Sequence, residues 1–277
     1  MSYLQAIVIA FVQGVTELFP VSSLGHSVLV PAWLGGSWQT LVTQSSQATS
    51  ESSFYLAYIV ALHCATALAL LWFFRLDWIR IVRGFLRSAG RIARERRFSA
   101  VDSDERLAWL IIVATVPVGI TGLALEHTFR TIFAKPVAAA AFLFVNGLIL
   151  LAGERARRRA APPVAAAVAE RAEPVLVGVG AGGAGGDEPR PRPRTATSAG
   201  RSADDILAAT ASDIRISRIS YRDSVTVGLL QVLALLPGIS RSGVTMVGGL
   251  WRGLDHEDAA RFAFLLATPV ILAAGVL

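Results

Sequence analysis

The chain has 277 residues, 53% of them hydrophobic and only 17% charged, and its mean hydropathy of +0.54 excludes an ordinary water-soluble domain of this length. Its formal net charge of +6 sits mostly in two arginine-rich stretches, Arg75 to Arg106 and Arg155 to Arg222, each adjoining apolar runs. That placement is explained by the retention of basic loops on the cytoplasmic side of a bilayer, so the charge sets topology and implies no nucleic-acid partner. With Cys64 as the single cysteine, an intrachain disulfide and a multi-cysteine metal site are excluded, and Cys64 reads as a small buried hydrophobe.

Residues 1–12 lack a basic segment and no small-residue cleavage site follows, so the first segment is expected to stay in the mature protein. Within it, "VTELFPVSSLGHS" (15–27) interrupts an apolar region. The region 1–36 is broken at Phe19-Pro20, and its second limb, Leu24 to Leu34, is too short to cross a hydrocarbon core about 30 Å thick at about 1.5 Å per residue. A re-entrant hairpin is the expected result. Glu17 is a carboxylate in an apolar segment, unfavourable by about 2.5–3.5 kcal/mol on insertion scales, and is a candidate functional residue on that ground. Across the reversal, His26 is placed to approach it, and a carboxylate beside an imidazole is an acid–base pair. Ser22 and Ser23 either cap the following short helix or supply a nucleophile.

The stretch 37–53 is polar without Lys or Arg and is assigned to the outside. Four apolar runs, 54–74, 107–125, 136–153 and 261–277, read as transmembrane helices. The basic loops 75–106 and 155–222 fall inside, and 126–135 falls outside, giving a self-consistent count of crossings. His63, one turn from Ile59 and Ala67 within a span, reads as an interhelical histidine satisfied by a neighbour. Asp102, Asp104 and Glu105 read as solvated loop charges. Residues 154–204 mix Pro, Gly, Ala and Arg without period and are expected to form a disordered cytoplasmic insertion within a single membrane domain covering 1–277.

A second break falls in 224–251 at "PGISRSG", between two limbs that are again short. Arg241 there is a permanent cation flanked by Ser240, Ser242, Gly243 and Thr245, a combination suited to cradling phosphate with a guanidinium, hydroxyls and helix-terminal amides. Irregular backbone at membrane depth is tolerated where protein or a wet cavity satisfies it, so both breaks mark a cavity. "LFPVSS" (18–23) and "LLPGIS" (235–240) run alike from apolar residues through Pro to Ser, preceded by Gln13 and Gln231, and the loop assignments make them enter from opposite faces. The expected fold is therefore an all-α polytopic membrane protein: an inverted-topology repeat whose two re-entrant helix hairpins meet near the membrane midplane. The implied chemistry is phosphoryl transfer to water; a flippase for a lipid phosphate, or an anion transporter, is the alternative from another class. In "GLDHEDAARF", Asp255 is the expected N-cap of the last helix, with Asp258 at N3 and His256 and Glu257 in an exposed first turn.

"QGVTELFPVSSLGHS" and "PGISRSGVT" resemble the two signature motifs of bacterial undecaprenyl-diphosphate phosphatases, the bacitracin-resistance proteins. "RISYRDSVTVGLLQVLALLPGISRSG", "GLDHEDAARFAFLLATPVILAAG" and "FLFVNGLILLAGER" are similar over their whole length. The resemblance implies hydrolysis of undecaprenyl diphosphate to the monophosphate at the outer face of the bacterial plasma membrane, recycling the cell-wall lipid carrier. It implies Glu17, Ser23, His26 and Arg241 as catalytic residues, with Gln13, Ser22, Ser240, Ser242, Gly243 and Thr245 around the substrate. It also implies a divalent cation, Mg²⁺ or Ca²⁺. Gln13 stands where many members carry a second glutamate, which leaves Glu17 as the motif's one candidate metal ligand and points to the pyrophosphate as the holder of the ion. The family continues beyond "TPVILAAGVL", so a further C-terminal segment is expected. A homodimer is compatible with these features.

Overall fold

The structure is a computed structural model and describes residues 1–47, 54–125, 135–160 and 203–276. Every regular element among those residues is a helix, the solution a bilayer favours because a helix satisfies its own peptide groups. Four helices are long and apolar enough to cross a membrane: Phe54–Phe73, Ser103–Ala124, Pro136–Arg159 and His256–Gly275.

In the N-terminal region, α1 (Tyr3–Leu18) is followed at once by α2 (Ser23–Leu34), and the two pack together. At about 1.5 Å per residue, the 12-residue α2 reaches only about 18 Å. Ser2 and Gln5 close a capping box at the start of α1, and the chain leaves the helix at Phe19, just ahead of Pro20. The amphipathicity of α1 is turned outward. Leu4, Ile7, Phe11, Val15 and Leu18 are exposed, whereas Gln5, Ile9 and Gln13 are buried, which is the pattern of a helix with lipid outside and a polar cavity inside.

The polar stretch after it is a helix, α3 (Gly36–Gln47), where a loop was expected. Its signal was present in Trp38, Leu41 and Val42, whose i, i+3, i+4 spacing packs them with Ile9, Tyr55 and Ile59. Residues 48–53 of that stretch lie outside the described residues. The spans α4 (Phe54–Phe73) and α6 (Ser103–Ala124) flank α5 (Arg75–Glu95), so the first basic loop is largely helical as well. α5 buries Asp77, Ile81, Gly84 and Ser88 and turns Ile79, Val82 and Leu86 outward.

The acidic cluster before α6 is not a set of solvated loop charges. Asp102 is the N-cap of α6, its Oδ1 accepting from the Glu105 amide at 2.8 Å, and buried Glu105 accepts from Arg91 and from the Val101 amide at 2.7 Å. Asp102 keeps an open side chain beside Arg87 at 3.0 Å, and Asp104, partly covered, lies 3.4 Å from Arg80. Residues 126–134 lie outside the described residues.

α7 runs Pro136–Ala160, past the expected end of its span at 153. Glu154 holds the extension by pairing with Arg157 at 2.9 Å and Arg158 at 2.6 Å, the i+3 and i+4 partners. The 154–204 segment is thus helical at its start, while 161–202 lie outside the described residues. α8 (Ala203–Ile216) follows, docked by charge: Asp213 accepts from Arg80 on α5 and from Arg261 of the last helix, and Arg261 also reaches Asp77 at 3.0 Å. Asp77 and Asp213 are both buried.

α9 (Tyr221–Val232) ends in a 3-10 turn, Leu233–Leu235, then breaks before α10 (Arg241–Trp251). In α11 (His256–Val276), Asp255 caps the start as expected, accepting from the Asp258 amide at 2.8 Å. Asp258 itself turns inward to Ser212 at 2.5 Å and Arg215 at 2.6 Å. The main apolar core lies between α4, α6, α9 and α11, built from Leu70, Leu107, Leu110, Ala114, Val227, Phe262 and Leu265.

Candidate active site

Two helix breaks meet at this site. Gly238 has φ +107°, a conformation glycine adopts freely, and a β-carbon there would lie 2.4 Å from the Ala139 carbonyl of α7. Gly25, at the third position of α2, leaves room for the same loop: its β-carbon would sit 3.0 Å from the Gly238 Cα. Asn146 of α7 ties the breaks together. Its Nδ2 donates to the Pro20 carbonyl at 3.1 Å and its Oδ1 accepts from the Ser240 amide at 2.9 Å. Asn146 carries no expectation from the sequence; its one signal is a lone amide in the apolar run "FLFVNGLILL".

Both breaks restart in the same way. Ser22 is the N-cap of α2, its hydroxyl accepting from the Gly25 amide at 3.4 Å. Ser240 is the N-cap of α10 and accepts from the Gly243 amide at 3.2 Å. Each restart thus reads Ser-x-x-Gly, and the next residue, Ser23 in one and Arg241 in the other, opens the helix. Ser22 holds φ +68°, sparsely allowed for a residue with a β-carbon and disfavoured by about 1–3 kcal/mol. The next residue, Ser23, reaches Glu17 of α1.

Glu17, in the last turn of α1, lies at the centre. One carboxylate oxygen accepts from Arg241 Nη2 across the two breaks, and the other accepts from the Ser23 hydroxyl. The second oxygen also lies 3.4 Å from His63 Nε2 of α4. Ser23 Oγ is itself 3.2 Å from that nitrogen. Carboxylate, hydroxyl, imidazole and guanidinium therefore form one cluster, with Glu17 side-chain exposure of 10% and Arg241 of 18%. Burial at this level makes each charge dependent on its partner.

Most of the residues singled out in the sequence converge here, but not in the roles expected of each. Glu17, Ser23 and Arg241 are in direct contact. His26 is one turn further along α2, where its Nδ1 meets the Ser22 carbonyl at 2.8 Å; the imidazole beside Glu17 is that of His63. Ser240 and Ser242 are buried and share a hydroxyl contact at 3.1 Å. Thr245 turns back to the Arg241 carbonyl and is fully enclosed, so its hydroxyl is satisfied within its own helix. Gln13, one turn before Glu17, accepts from Thr66 at 3.2 Å, while its buried Nε2 has no partner among the described residues. The same holds for Arg241 Nε. Buried donors are normally satisfied, so two unpaired donors beside one cluster favour an acceptor-rich ligand.

The signal for His63 lies in the polar residues that share its face rather than in the histidine by itself. At 100° per residue, Tyr55, Tyr58, His63 and Thr66 share one face of α4. Tyr55 donates to the Ser27 carbonyl at 2.5 Å and Tyr58 to the Ala6 carbonyl at 2.8 Å, so that face packs against α1 and α2.

The donor set does not by itself form a cation site. No group of three or more His, Cys, Asp or Glu side chains suited to a metal occurs among the described residues, and both oxygens of Glu17 are engaged.

Fold and site together define a helical integral membrane protein with a guanidinium, a carboxylate, an imidazole and a serine gathered where two helices break. The chain belongs to the family described as "Bacitracin resistance protein BacA", whose model matches residues 6–181 and 198–277. It is 56% identical over 286 residues to the "Undecaprenyl-diphosphatase 2" of Frankia alni, covering 100% of this chain and 80% of that protein. The "Undecaprenyl-diphosphatase" of Mycolicibacterium paratuberculosis is 52% identical, with 100% and 77% covered. The "Undecaprenyl-diphosphatase 2" of Chromobacterium violaceum is 37% identical, with 100% and 75% covered.

Proposed function

We propose that this protein is a membrane phosphatase that hydrolyses undecaprenyl diphosphate to undecaprenyl phosphate and inorganic phosphate, returning the lipid carrier to cell-wall synthesis and conferring resistance to bacitracin. The observation that carries this reading is the contact of Glu17 with both Ser23 and Arg241 across two helix breaks. A carrier needs an anion site; it has no need of a hydroxyl presented beside a carboxylate and an imidazole.

In the proposed mechanism Arg241 turns a guanidinium edge to the diphosphate, with the α10 N-terminal amides and the Ser240 and Ser242 hydroxyls around the remaining oxygens. Ser23 attacks the terminal phosphorus, and the bridging bond breaks to release undecaprenyl phosphate. Water then hydrolyses the phosphoserine. A divalent cation would be held chiefly by the diphosphate and would offset its charge, since the protein offers one carboxylate, Glu17, already in use.

The matching Ser-x-x-Gly restarts, each preceded by a buried glutamine, Gln13 or Gln231, support reading the two broken helices as re-entrant hairpins of an inverted repeat. Retention of the basic segments inside supports a plasma-membrane site opening to the outer face. Purified protein should release phosphate from a polyprenyl diphosphate, and Glu17→Ala and Arg241→Ala should abolish release. Binding without release would instead favour a carrier. Near-normal turnover by Ser23→Ala would assign the attack directly to water.

A further inference from the structure

Resting on that reading, we infer that His63 is a catalytic residue, the base that receives the Ser23 proton as the serine attacks phosphorus. The spanning helix α4 brings it to the site from outside both sequence motifs. Its Nε2 is 3.2 Å from Ser23 Oγ and 3.4 Å from Glu17 Oε2.

The tautomer follows from the other side of the ring. His63 Nδ1 lies 2.8 Å from the Ile59 carbonyl oxygen, which can only accept, so Nδ1 carries the proton. In the neutral ring Nε2 is then bare and faces the serine oxygen; the Ser23 hydroxyl donates to Glu17 in the resting site, and rotation about its Cβ–Oγ bond turns the same proton to Nε2 for transfer. His26 is anchored in the same way on Ser22, but the Ser23 oxygen is given to His63.

Glu17 is the worse candidate for this proton. One of its oxygens neutralises Arg241, and protonating the carboxylate would dissolve that ion pair in a buried site. As a neighbour of the base it has a clearer use. A neutral ring gains little from a carboxylate 3.4 Å away, whereas an imidazolium gains a great deal, so Glu17 stabilises the charge that develops during proton transfer.

In the first step the Ser23 Oγ–P bond forms, the bond from phosphorus to the bridging oxygen breaks, and the serine proton moves to His63 Nε2. Undecaprenyl phosphate leaves with the bridging oxygen. In the second, water oxygen bonds to phosphorus, the Oγ–P bond breaks, and His63 returns its proton to Ser23. The protons of the water remain on the released phosphate.

The charged groups facing the ring are Glu17 from α1 and, through it, Arg241 from α10; α2 presents the Ser23 hydroxyl, and α11 meets α4 beside it with Gly275 against Cys64.

The test compares wild type, His63→Gln and His63→Ala, purified in detergent, by phosphate release from a polyprenyl diphosphate under one set of conditions. The expected result is a kcat about 10²–10⁴-fold lower in both variants, with KM changed far less. Added imidazole should partly restore His63→Ala, which separates lost chemistry from lost folding. If wild type turns over and His63→Gln keeps its rate within about threefold, the role assigned to His63 is wrong while the phosphatase reading stands. Wild type that releases no phosphate overturns both.

Discussion

Replacing Asn146 with leucine should disturb stability and catalysis together, because one amide satisfies a backbone group in each broken helix. Asn146 is 2% exposed, and its loss leaves the Ser240 amide and the Pro20 carbonyl, held at 2.9 and 3.1 Å, without their partner. Each buried group left unsatisfied is unfavourable by about 1–3 kcal/mol, so the pair amounts to about 2–6 kcal/mol. Pro20 precedes the serine-bearing helix and Ser240 caps the arginine-bearing one, so relaxation there also moves Ser23 and Arg241 relative to Glu17. Displacements near 1 Å in a reacting geometry lower rates by about 10²-fold. Thermal unfolding in detergent and phosphate-release kinetics on the same preparation measure both effects. Phe144→Leu, two residues earlier on an exposed face of α7, is the control and should match wild type in each. If Asn146→Leu stays within about 0.5 kcal/mol and twofold in kcat, the amide does not hold the two breaks together.

Asp213→Ala should destabilise the basic end of the bundle by about 3–5 kcal/mol, since Arg80 and Arg261 both lose a fully buried partner. Removing the exposed Arg158 should shift melting by less than about 1 kcal/mol, and equal effects from the two would contradict the burial argument. Gln13→Glu places a second carboxylate one turn from Glu17 and should lower the Mg²⁺ concentration for half-maximal activity by roughly an order of magnitude, from the added anionic ligand. An unchanged Mg²⁺ titration would show that the cation does not approach this face of α1.

The sequence made the membrane helices legible because length and apolar composition alone define them, and it exposed both breaks because proline, glycine and serine cannot be hidden in an apolar run. Glu17, Ser23 and Arg241 were readable for the same reason. His63 was not, since its partners are 40 and 46 positions away and its helix has an ordinary spanning composition; only the shared face with Tyr55, Tyr58 and Thr66 marked it. Asn146 and the α5–α8–α11 ion pairs were hidden likewise. A charge such as Asp213 reads as solvated until packing shows which arginines surround it, and α3 read as a loop because its apolar face is only three residues wide.

The account rests on Glu17 and Arg241 acting as one unit on one diphosphate, and a double-mutant cycle on kcat/KM tests that most directly. With Glu17→Gln, Arg241→Lys and the double variant assayed under one set of conditions, coupling predicts that the double loses little more than the worse single variant. Losses that simply multiply would show the two residues working independently, and the shared site proposed here would not exist.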